Sequence, residues 1–256
     1  MAVLVCRRWR EVGLSPCLWS WVSLRIDSTN LDAIPRILNS RWIWMVRKIR
    51  IFAVTEELLL ALASCEGIRT VVFQRPVGNI STFDPSLLAC LVAHLEEVFV
   101  YQNPLTSEQS ESILNAIVGG SKLKTLNIEG TSFERLDPDL VARAVTGLEE
   151  AHMSHKDLTV LQIEAIFERI VQGKTRLKRL HISGNNLTFV EPNLMALAIS
   201  HLEKVHIGNC LTNQQAFALF SILQSNCSNL RTLHIFGTDL CTVDPQVLAS
   251  GWKVEM

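Results

Sequence analysis

The sequence predicts an α/β solenoid, a stack of strand, turn and helix units, on the strength of two observations. A six-residue motif of the form LxxLxL recurs along the chain, and a helix-start signal of one of two kinds follows each copy. One series reads Ile68-Arg-Thr-Val-Val-Phe73, Leu123-Lys-Thr-Leu-Asn-Ile128, Leu177-Lys-Arg-Leu-His-Ile182 and Leu230-Arg-Thr-Leu-His-Ile235, with starts 55, 54 and 53 residues apart. A second series lies between them: Leu95-Glu-Glu-Val-Phe-Val100, Leu148-Glu-Glu-Ala-His-Met153 and Leu202-Glu-Lys-Val-His-Ile207. The unit is therefore 25 to 29 residues long and comes in two alternating types.

The helices are announced differently in the two types. After the first series stands an acid-Pro pair, Asp84-Pro85, Asp137-Pro138, Glu191-Pro192 and Asp244-Pro245. There a side-chain acceptor caps the first amides and Pro presets φ, with Glu the weaker cap of the two acids. After the second series comes Thr106-x-x-Gln109, Thr159-x-x-Gln162 and Thr212-x-x-Gln215, the capping box in which Thr and Gln bond the first-turn amides reciprocally. Apolar spacing then continues along one helix face, as in Ile163, Ile166, Phe167 and Ile170. Gly120-Ser121-Lys122 and Gly173-Lys174-Thr175 occupy the same helix-to-strand connector one long repeat apart. The second is no phosphate-binding loop, because position 168 is Glu where that motif needs Gly.

With this length and alternation the pattern resembles the leucine-rich repeat, most nearly the ribonuclease-inhibitor class, over about residues 46 to 250. The resemblance implies a leucine-rich-repeat solenoid, a curved horseshoe with a parallel sheet on its concave side and helices outside. The physical reason is that each unit can bury its apolar face only against its neighbours. On this reading residues 25–67 hold divergent first repeats and residues 68–256 the alternating ones. The last helix, after Pro245, is expected to stop near Trp252 without a polar capping repeat, as in a fragment or a short paralogue.

Residues 1–24 differ in composition. The first 50 residues carry nine Lys/Arg against three Asp/Glu, and five of the six Trp fall there (Trp9, Trp19, Trp21, Trp42, Trp44). Leu4-Val-Cys-Arg-Arg-Trp-Arg10 followed by Pro16-Cys-Leu-Trp19 resembles the second half of an F-box; the first half does not precede it. The resemblance implies that Val5, Cys6, Trp9 and Trp19 contact the adaptor of a cullin-type ubiquitin ligase. The alternative is that Trp9 and Trp19 form a lid over the open end of the first repeats. Trp42 and Trp44 lie in an apolar run and are read as core rather than as a nucleic-acid surface.

Composition narrows the function classes. Lys plus Arg total 24 against 25 for Asp plus Glu, so no chain-wide basic field for nucleic acid exists. Apolar runs such as Leu58 to Ala63 and Leu87 to Val92 are far shorter than the roughly 20 residues of a membrane span. Seven Cys without a C-x-x-C pair suit buried thiols in a reducing compartment, the cytoplasm or nucleus. No G-x-G-x-x-G, G-x-S-x-G or H-E-x-x-H is present, so neither an enzyme nor a cofactor is expected.

The binding surface follows from strand alternation. In LxxLxL the leucine-type positions point into the core, which leaves the third and fifth on the concave face. The fifth position reads Val72, Phe99, Asn127, His152, His181, His206 and His234, so four successive histidines form a column with strands about 4.8 Å apart. The seventh adds Gln74, Tyr101, Glu129, Ser154, Ser183, Gly208 and Phe236, with His155 beside the column. Phe99 and Tyr101 are the first choice of anchors for a bound protein or peptide, with Asn127, Glu129, the histidines and Phe236 completing the surface. A solvated row is preferred over a transition-metal site for the histidines, because no carboxylate is evident to orient the rings. Mutual repulsion is expected to disfavour protonation of the row. The second position alternates in sign (Arg69, Glu96, Lys124, Glu149, Lys178, Glu203, Arg231) and is assigned to strand register and solubility.

The sequence thus points to a noncatalytic protein-interaction scaffold, an F-box and leucine-rich-repeat subunit that recruits substrate to a ubiquitin ligase. The alternative is a freestanding repeat domain similar to ribonuclease-inhibitor or innate-immune-receptor repeats.

Overall fold

Nine strands in chain order, β1 Ser23–Ile26, β2 Lys48–Ala53, β3 Thr70–Val77, β4 Glu97–Tyr101, β5 Thr125–Ile128, β6 Glu150–His152, β7 Arg179–His181, β8 Lys204–Gly208 and β9 Thr232–Phe236, lie side by side in one sheet. A two-residue strand, β10 Val254–Glu255, adds to β9, and every neighbour pairing is parallel. The computed structural model describes residues 23–27, 46–65, 67–77, 80–101, 104–128, 130–208, 211–224, 228–236 and 254–255. The F-box-like segment with Val5, Cys6, Trp9 and Trp19, the expected helix after Pro245, and Trp42 and Trp44 lie outside these residues.

Between the strands run α1 Glu56–Ala63, α2 Pro85–His94, α3 Ser107–Val118, α4 Pro138–Gly147, α5 Val160–Val171, α6 Pro192–Ser200 and α7 Asn213–Gln224. Because the strands follow one another in chain order, crossovers of one hand bring the helices to one side of the sheet, where successive helices pack on each other. The core lies between the two layers. Strand residues facing the helices, such as Val71, Leu126, Leu180 and Val205, are fully buried, as are Ile163, Ile166, Phe167 and Ile170 of α5. Each such side chain contributes about 1.5–3 kcal/mol by leaving water. No helix among the described residues is long and apolar enough to cross a membrane.

Both helix-start signals fold as expected. Asp84 and Asp137 cap α2 and α4, accepting from Ser86 N at 2.7 Å and Leu140 N at 2.8 Å, with Pro in the first turn. Glu191 caps α6 as well, and its longer side chain reaches two amides, Asn193 N at 3.0 Å and Leu194 N. Thr106–Gln109 and Thr159–Gln162 form reciprocal capping boxes, and Thr212 and Gln215 make the same pair of bonds.

The glutamines also do something the capping motif does not foretell. Gln109 Nε2 donates to Ile80 O and Phe83 O at 2.9 and 2.7 Å, Gln162 Nε2 to Phe133 O and Leu136 O at 2.7 Å each, and Gln215 Nε2 to Leu187 O and Val190 O at 2.6 and 2.9 Å. One side chain thereby caps its own helix and holds the turn of the preceding unit. The opposite joint uses other residues. Thr131 Oγ1 accepts from Leu105 N at 2.9 Å, and Asn185, one long repeat later, accepts from Lys156 N and Leu158 N and donates to Met153 O and Ile182 O. These buried polar groups are satisfied, so their burial is tolerated.

The alternating second position forms ion pairs at the strand starts. Arg69 and Lys124 reach Glu96 at 3.2 and 2.7 Å, and Lys178 approaches Glu149 at 3.9 Å. They are partly exposed and worth about 0–1 kcal/mol each, in keeping with a role in register.

Candidate functional site on the concave face

Strand register places the fifth-position residues in one line. Val72 pairs with Phe99, Phe99 with Asn127, Asn127 with His152, and His152, His181, His206 and His234 follow in succession. Tyr101 lies on the same face and its ring stacks on Phe99 with centroids 6.1 Å apart. Both aromatics are half-buried rather than freely exposed. Phe236 pairs with Gly208 in register, and Glu129 lies outside the described residues.

The histidines depart from the expected solvated row. Their rings stack face to face at 4.1, 4.0 and 3.9 Å, each within 15–17° of parallel. That spacing is closer than the strands themselves and leaves no room for water between rings. His152, His181 and His206 are half-buried, and His234 is 8% exposed. Burial and then the neighbouring His152, His206 and Lys204 push the His181 imidazole down to about 3. Burial and then His234 and Lys204 push His206 down to about 4. His152 is also lowered by burial, against the attraction of Glu150. Desolvation thus leads, and the repulsion expected from the sequence comes second. At neutral pH His152, His181 and His206 are therefore uncharged.

A carboxylate does stand beside the rings and bonds one of them, His152, contrary to expectation. Glu150 precedes His152 by two residues in β6 and so shares its face. Its Oε1 stands 3.1 Å from His152 Nε2 and 3.5 Å from His181 Nε2. Arg179, paired with Glu150 in register, holds the other oxygen, Oε2, with Nε at 2.8 Å and Nη2 at 2.7 Å. The signal was present in the third position of the motif, where Glu150, Arg179 and Lys204 follow one another beside the histidines. Among the described residues, Glu150, His152 and His181 are a group able to hold a metal ion, their ligand atoms lying within 4.8 Å of one another.

His155 lies outside the column. It is exposed, adopts φ 53°, donates its amide to Ser183 O at 2.8 Å, and lays its ring over Gly184. A Cβ on Gly184 would stand 2.1 Å from His155 Nδ1, so glycine there makes room for the ring.

With this geometry the chain can be set beside known proteins. The Leucine Rich Repeat family model matches residues 176–197, which span β7 and the start of α6. The fold is a leucine-rich-repeat solenoid. A solved structure similar to this one is the leucine-rich-repeat-containing protein LegL7 of Legionella pneumophila, 12% identical over 93% of each chain with a TM-score of 0.42. Comparison with curated proteins finds no match. In the solenoid, the residues that Phe99, Asn127 and His152 represent are surface positions of the sheet and not part of the packed interior.

Proposed function

We propose that the solenoid is a noncatalytic protein-interaction domain that holds a protein or peptide on its concave face. The observation that carries this reading is the unbroken line of aromatic and polar side chains from Phe99 and Tyr101 through Asn127 to the histidine stack, all presented by a rigid sheet. Aromatic anchors on a preorganised surface lose little entropy on binding and dominate interface energetics. Proteins captured by the wild type and then purified should lose at least about tenfold in affinity for Phe99→Ala with Tyr101→Ala, a cost of about 1.4 kcal/mol or more. Equal affinity would refute the concave-face reading.

The finer form of the proposal takes the chain as the substrate-recruiting subunit of a cullin-type ubiquitin ligase. Its support is the sequence resemblance of Leu4–Arg10 and Pro16–Trp19 to half an F-box. Co-purification with the ligase adaptor at micromolar concentration supports it. No association favours the freestanding repeat domain similar to ribonuclease-inhibitor or innate-immune-receptor repeats.

A further inference from the structure

We propose that Glu150, His152 and His181 form a binding site for zinc or a zinc-like divalent ion. Two imidazoles and a carboxylate are a recurrent zinc donor set, and three protein ligands leave a fourth position for water. Bonds of about 2.0–2.1 Å in a tetrahedron put ligand atoms about 3.3 Å from one another. Glu150 Oε1 lies 3.1 Å from His152 Nε2 and 3.5 Å from His181 Nε2, which brackets that edge.

The surroundings support the assignment. His181 Nε2 is buried and has no hydrogen-bond partner, so an ion bound there displaces no existing bond. Arg179 grips Glu150 through Oε2 alone and leaves Oε1 turned toward the rings, the kind of second-shell hold that fixes ligating carboxylates. The cationic side chains of Arg179 and Lys204 lower the affinity, and the Glu150 carboxylate offsets one of those charges.

One feature of the stack sets the signature of loading. His152 and His181 lie 15° from parallel, so their ring lone pairs run side by side. Sharing one ion draws these two rings apart by rotation about their ring bonds and breaks their stacking, while β6 and β7 stay in register. The proton on His152 Nε2 moves to Nδ1 as that nitrogen becomes a ligand.

The test is calorimetry with zinc chloride on the untagged full chain, with thiols kept reduced, alongside Glu150→Gln, His152→Gln, His181→Gln and the exposed control His94→Gln. The expected result is one site in the wild type and in His94→Gln, weakened at least about tenfold in each of the other three. Histidine ring NMR on the wild type needs no variant to fold: zinc should shift His152 and His181 and leave His94 unmoved. Absence of heat in the wild type, or equal zinc affinity in all four variants, overturns the proposal. So does a titration in which the His152 and His181 resonances stay in place.

Discussion

Replacing Gln162 should cost far more than the loss of a helix cap. Its side chain is fully buried and makes three hydrogen bonds: Oε1 accepts from Thr159 N at 2.9 Å, and Nε2 donates to Phe133 O and Leu136 O at 2.7 Å each. Gln162→Met keeps the approximate volume and removes all three, leaving one amide and two carbonyls without partners. At about 1 kcal/mol net per bond the loss is about 3 kcal/mol, and each orphaned group pushes it upward. Gln162→Ala adds the lost packing of the side chain and should fall further. Thr159→Ala is the comparison, because it removes only the acceptor for Gln162 N at 3.2 Å and should cost about 1 kcal/mol. Urea unfolding followed by circular dichroism measures all three. A Gln162→Met loss no larger than that of Thr159→Ala would refute the claim that the glutamine joins two units.

Three further outcomes follow from other parts of the molecule. Asn185→Ala removes four hydrogen bonds from a buried site and should destabilise by about 2–4 kcal/mol, checked by thermal melting against an exposed-surface control. Gly184→Ala places a side chain where φ is +78° and where the His155 ring lies, so it should cost about 1–2 kcal/mol and displace the His155 resonances in NMR; unchanged shifts would count against that contact. In metal-free buffer folded His181 and His206 stay neutral while the same two residues in the unfolded chain charge below their ordinary value of 6.5, so the unfolded chain binds more protons and stability falls as pH drops from about 6.5 toward 4. His181 alone should lose up to about 1.4 kcal/mol between pH 7.5 and 5.5, and a constant urea midpoint over that range would contradict its burial.

The fold could be read from the chain because its signals are local. LxxLxL sets the strand faces, acid-Pro and Thr-x-x-Gln set the helix starts, and the near-constant spacing brings Asn127, His152, His181, His206 and His234 into one line. Features that depend on side-chain reach are not encoded in these local patterns. Gln109, Gln162 and Gln215 look like ordinary capping residues until the preceding turn is seen to offer two carbonyls to each. The ring stacking escaped for a similar reason, since strand spacing fixes where side chains start and not how far they lean together. Glu150 was visible in the third position beside His152, but its aim follows from Arg179 on the next strand, a contact between residues 29 apart.

The two kinds of joint also bear on how this molecule could be lengthened or shortened. Glutamine side chains tie three second-type units back to first-type ones, whereas Thr131 and Asn185 tie the first-type units that begin at Leu123 and Leu177 back to second-type ones. α4 and α5 pack together more extensively than α5 and α6 do. Excising one unit would bring two like units together, so a glutamine or asparagine would meet a turn built for the other joint. Removing or inserting a block of 53 to 55 residues presents every remaining junction with its proper partner. The exchangeable part of this protein is therefore the pair, and the length of its concave surface can change only in steps of two strands.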